Sequence, residues 1–102
     1  MTDKTGIVER AIFAIKPGTS AETFKAAFAE ARPHIEGAKG FRRLEMRRGI
    51  ENPDSYLLLV WWDAVDDHMK GFRESQAFAK WRKHLGPLFV TPPAMEHYGE
   101  TL

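Results

Sequence analysis

Residues 56–62 read Tyr-Leu-Leu-Leu-Val-Trp-Trp, seven apolar side chains in succession, and this stretch decides the fold. A strand alternates its side chains between two faces. Leu57, Leu59 and Trp61 therefore share one side, and Tyr56, Leu58, Val60 and Trp62 the other. Neither row suits water, and either one left bare would make an apolar patch larger than soluble monomers usually tolerate. In a chain of 102 residues the helices can cover one face. The cover for the second is expected from another subunit, most simply in a two-fold homodimer. The run leads directly into Asp63–Trp81, a helical stretch rich in aromatic residues and carrying His68, so an aromatic pocket is expected beside the strand.

Working outward, Ile7–Ile15 is apolar at most positions of both parities and reads as a first strand. Lys16-Pro17-Gly18 ends it. Thr19-Ser20-Ala21-Glu22 has the form of a capping box, and Phe24, Phe28, Ala31 and Ile35 make one stripe of the helix that follows. Pro33 within that helix predicts a bent or shortened last turn. Phe41–Arg48 is a second strand, with Leu44 and Met46 on one face and Arg43, Glu45 and Arg47 on the other. Asn52-Pro53-Asp54 turns the chain into the apolar third strand. Asp63 is the expected N-cap of a short helix bearing Val65, His68, Met69 and Phe72, and Ser75 that of a helix bearing Phe78, Trp81 and Leu85. Gly86-Pro87 stops it, and Ala94–Tyr98 reads as the last strand. The order β-α-β-β-α(α)-β in a single domain, core 7–98, points to an α+β ferredoxin-like sandwich: a four-stranded antiparallel sheet with helices on one face.

Composition excludes several functions. With 15 basic and 14 acidic side chains interspersed, the net charge of +1 demands neither a nucleic acid nor an anionic membrane. No run has transmembrane or signal-peptide length, so a cytoplasmic protein is expected. There is no cysteine, which removes disulfides, thiolate nucleophiles and thiolate metal sites. His34, His68, His84 and His97 offer no helical zinc pair, and no metal or other cofactor is expected. The same strand-helix order occurs in RNA-recognition domains. Here, however, Arg42 and Arg43 follow Lys39-Gly40-Phe41 where a small residue and an aromatic belong, so the second strand has no platform for stacking bases. The Gly-rich dinucleotide and phosphate loops and the nucleophile elbow are also missing.

Lys16-Pro17-Gly18, Phe24 and Phe28, Gly40-Phe41, Glu45 to Arg48, Asn52-Pro53, Tyr56 to Trp62, His68, Phe72-Arg73, Ser75, Phe78, Trp81 and Glu96-His97-Tyr98 recur in order across nearly the whole chain. In this the sequence resembles the antibiotic biosynthesis monooxygenase domain family. The resemblance implies a dimeric α+β barrel built from two sheets, with pockets between each sheet and its helices. It also allows a test of the haem-degrading branch, which uses an asparagine, a tryptophan and a proximal histidine where this chain has Arg10, Phe72 and Arg82. Since arginine does not ligate iron as a neutral imidazole does, haem degradation is disfavoured. The same alignment implies that Arg10 and Phe72 point into the pocket.

The expected function is cofactor-independent oxygenation of a small phenolic or quinol-like aromatic molecule. His68 is the expected base, with a pKa near working pH. Arg10, or else Arg73, is the expected cation for the phenolate. Trp62, Phe72, Phe78, Trp81 and His97 complete the expected substrate-binding set. The alternative is a non-catalytic dimeric module that binds a small ligand or serves assembly. A packed interior favours that alternative, and an open pocket holding His68 favours the enzyme.

Overall fold

The computed structural model describes residues 6–102. Strand β1 (Ile7–Ala14) lies in the middle of the molecule, paired antiparallel on both sides. Helix α1 (Ala21–Glu36) leads to β2 (Phe41–Arg48) and β3 (Ser55–Trp62). A π-helical turn, Asp67–Phe72, then precedes helix α2 (Gln76–Leu85), a 3-10 turn at Gly86–Leu88 and strand β4 (Met95–Tyr98). The sheet order is β2-β3-β1-β4, all antiparallel. This is the ferredoxin-like α+β arrangement, and β3 occupies the central position that its apolar run requires.

The two faces of the sheet divide as strand alternation demands. Ala11, Phe13, Leu44, Tyr56, Leu58, Val60 and Trp62 form the core with Phe24, Ala31 and Ile35 of α1 and Trp81 and Leu85 of α2. Phe24 stacks on Tyr56 with ring centroids 3.9 Å apart, and Phe28 meets Trp81 edge-on. The opposite face carries Ile12, Leu57, Leu59 and Trp61, none of them buried. Register places Leu59 between Arg10 of β1 and Glu45 of β2, and Trp61 opposite Arg43, whose guanidinium sits 3.6 Å from the Trp61 ring.

Local chemistry differs from expectation at three points. The N-cap of α1 is Ser20, whose hydroxyl accepts from the Thr23 amide, so Thr23 and not Glu22 completes the cap. Helix α1 also runs through Pro33 to Glu36. Pro33 and the Ala29 carbonyl it leaves without an amide both lie on the exposed side, where water can serve that carbonyl. Asp63 caps no helix, because its carboxylate takes Arg42 Nε at 2.6 Å. The helical turn beyond it is wide, and the Arg73 amide donates five residues back to the His68 carbonyl at 2.8 Å. Among the described residues no helix is long and apolar enough to cross a membrane.

Candidate functional site

Between the sheet and α2 lies a cavity of about 330 Å³. Ala11, Phe13 and Leu58 form its sheet side, Phe72, Phe78 and Trp81 its helical side, and Phe89 to Pro93 its rim. The volume is at the low end of the range for small-molecule sites, and the lining has the usual apolar and aromatic character. Two buried titratable groups face this apolar space, Glu9 and His68, which are 3% and 2% exposed.

Glu9 is placed by the alternation of β1. It shares the inner face with Ala11 and Phe13, and its neighbours across the sheet are Val60 and His97. The Trp62 indole Nε1 donates to Glu9 Oε1 at 2.9 Å. His68 Nε2 approaches the same oxygen at 3.3 Å, and His68 Nδ1 lies 2.8 Å from His97 Nε2. Among the described residues no fully enclosed side-chain nitrogen or oxygen lacks a hydrogen-bond partner. Glu9 Oε2 has none, so it is the oxygen open to the cavity that Glu9 lines. One oxygen is thus fixed by the indole, with the imidazole beside it, and the other is left for a ligand.

Burial sets the charge states. Removal from water pushes the Glu9 carboxyl up to about 7, against the Trp62 hydrogen bond and the Arg73 charge. Burial pulls His68 down to about 4, assisted by His97 and Arg73. At weakly acid pH both side chains are therefore neutral, and their 3.3 Å contact is not an ion pair. Only one proton fits on a hydrogen bond. His68 Nδ1 and His97 Nε2 share one proton, so one ring donates and the other accepts according to the tautomer. The half-buried His97 connects His68 to the surface.

The sequence profile of the antibiotic biosynthesis monooxygenase family matches residues 7–84, a span that includes β1, β3, the π-helical turn and nearly all of α2. The chain belongs to this family. It is 37% identical over 90 residues to the uncharacterised protein YczJ of Bacillus subtilis, an alignment spanning 88% of this chain and 94% of YczJ. Among solved structures, a Bordetella bronchiseptica protein named for antibiotic biosynthesis monooxygenase superposes with a TM-score of 0.90 at 39% identity, over 96% of this chain and 99% of that one. SnoaB, a cofactor-independent oxygenase of Streptomyces nogalater, superposes with a TM-score of 0.72 at 18% identity, over 96% of this chain and 93% of SnoaB. At that identity the likeness is one of fold.

Within this family fold, His68, Phe72, Arg73, Phe78 and Trp81 all line the cavity. Trp62 lies beneath it, fully buried, donating to Glu9 and packed against His68 and Phe72 of the lining. His97 stands behind His68. Arg10 does not point into the pocket as the family alignment implied. It is one residue out of phase with Glu9, Ala11 and Phe13, so its side chain leaves the other face and pairs with Glu96 at 2.6 Å. Glu9 is the residue that sequence reasoning missed. Its signal was present: in Ile-Val-Glu-Arg-Ala-Ile-Phe-Ala an acid holds the same parity as Ala11 and Phe13. Among the described residues no cluster of three or more His, Asp or Glu can hold a metal ion.

Proposed function

We propose that the protein is a cofactor-independent oxygenase of a small phenolic or quinol-like substrate, with Glu9 as the base. The observation that carries this reading is the free Oε2 of a buried carboxyl, which titrates near neutral pH in an aromatic cavity. A phenol bound there passes its proton to Oε2. The phenolate, shielded from water, is electron-rich enough to reduce dioxygen itself. Where the activated carbon is a methylene, a C–O bond forms to give a hydroperoxide, and loss of water leaves a carbonyl. One O2 is consumed for each substrate oxidised, with one oxygen atom in the product and one in water. Glu9 returns the phenol's proton to the peroxide as the hydroperoxide forms, which restores the carboxylate for the next turnover. His68, neutral down to about pH 4, serves this reading better as a neutral neighbour of Glu9 than as the first base.

The active form is proposed to be a homodimer joined through the sheet face that holds Leu57, Leu59 and Trp61. What supports this is the half-exposed apolar row on a face without helices. Oxygen uptake against a panel of phenols, hydroquinones and fused-ring phenols tests the function. Uptake with at least one member is expected, reduced about a hundredfold or more in Glu9→Gln, as for loss of a positioned base. No uptake above buffer from any of them, or full activity in Glu9→Gln, refutes the assignment.

A further inference from the structure

The arginines of this chain fall into two groups. Arg10, Arg32, Arg42, Arg43 and Arg47 each reach a carboxylate at 3.0 Å or less, and Arg48 donates to the Pro53 carbonyl at 2.7 Å. Arg73 and Arg82 form neither an ion pair nor a side-chain hydrogen bond among the described residues, and both line the cavity. Arg73 leaves the end of the π-helical turn and lies over the Phe78 ring at 5.5 Å. Arg82 comes from the last turn of α2, its stem packed beside Gly86. Both are exposed, whereas Glu9 and His68 are buried, so the cavity is graded: cations at its outer end, neutralisable groups at its inner end, rings between. Among the described residues Glu9 is the one acid in the lining.

From this placement we infer that the cavity takes an aromatic carboxylate, its ring among Phe72, Phe78 and Trp81, its hydroxyl on Glu9 and its carboxylate held at the mouth by Arg73 and Arg82. Guanidinium groups bind carboxylates through short, charge-assisted and often bidentate hydrogen bonds. Two unpaired forks at one opening supply more donors than a neutral phenol can use. The hydroxyl's place rests on the oxygenase reading. The carboxylate seat does not, since it follows from the arginines alone.

The probe is 6-hydroxy-2-naphthoate, which carries the two groups at opposite ends of a rigid ring pair, compared with its carboxamide of nearly equal size. Titration calorimetry on the full chain should show the acid binding about tenfold or more tightly than the amide, a preference that shrinks as salt is raised. Arg73→Ala and Arg82→Ala should each lose most of the preference while leaving amide affinity in place, and Arg32→Ala, outside the lining and paired with Glu36, should keep it. All three sites are exposed, so folding should be unaffected, and circular dichroism checks this. Equal binding of acid and amide, no binding of either at millimolar concentration, or a preference that survives Arg73→Ala/Arg82→Ala overturns the inference. Binding is read without turnover. Selective binding with no oxygen uptake would refute the oxygenase and leave the seat standing, and uptake with no selectivity would do the reverse.

Discussion

Glu9→Gln should make the protein more stable at alkaline pH. The Glu9 carboxyl titrates at about 7 in the folded chain against an ordinary value of 4.5. Its folded pKa is raised, so folding meets no penalty from Glu9 below pH 4.5, loses stability as pH climbs from 4.5 to 7, and is constant above. The loss is about 3 kcal/mol at roughly 1.4 kcal/mol per pH unit. His68 behaves oppositely. Its folded pKa is lowered from 6.5 to about 4, so its stability is intact above 6.5 and falls as pH drops through that range. Between pH 4.5 and 6.5 the folded chain keeps one proton on Glu9 and the unfolded chain keeps one on His68. The two slopes cancel, and this pair leaves wild-type stability nearly flat across the window. Glutamine keeps the oxygen that accepts from Trp62 and removes one titration. The variant should match wild type near pH 4.5 and gain on it steadily, reaching up to about 3 kcal/mol at pH 8, on the order of 10 °C in Tm. Urea denaturation followed by tryptophan fluorescence, at fixed protein concentration from pH 4.5 to 8, measures the difference. A Glu9→Gln effect that is the same at pH 5 and pH 8 refutes the buried-carboxyl argument.

Leu59→Arg places a charge in the proposed interface, away from the helices, and should yield a folded 11.6 kDa monomer by light scattering where wild type gives twice that mass. A wild-type monomer at micromolar concentration refutes the dimer. Gly40→Ala should destabilise by about 1–3 kcal/mol in the same denaturation assay, because φ is +83° there and an added Cβ would run into the Asp67 carboxyl. An unchanged midpoint would mean that this turn adapts.

The sheet was legible because its strongest signal is one of composition. Seven apolar residues at 56–62 leave a strand no exposed option, and β3 has the bounds the pattern implies. Ser75, Gly86-Pro87 and Asn52-Pro53-Asp54 act locally and did what their chemistry suggests. The pocket walls at Phe72, Phe78 and Trp81 were legible for the same reason, as aromatic residues at helical spacing. Glu9 was not, since β1 is apolar on both parities and only the position of the helices tells which parity is inside. Counting from a family position placed Arg10 inward, an error of one residue that in a strand is an error of a whole face. The π-helical turn was also hidden, because its sequence, Asp-His-Met-Lys-Gly-Phe, differs from an ordinary helical turn only in the backbone bond that tertiary packing selects.

That wide turn makes the site tolerant of a change in length. An α-helix advances about 100° per residue. Loss of one residue between His68 and Arg73, such as the exposed Lys70, would let the same amide and carbonyl close an ordinary helical bond. The swing expected of a deletion in a regular helix would then be absorbed by the turn itself, and only the residues between the two would be re-aimed. In this segment a one-residue alignment gap at Asp67–Phe72 is compatible with a conserved placement of His68 and Arg73 at the cavity.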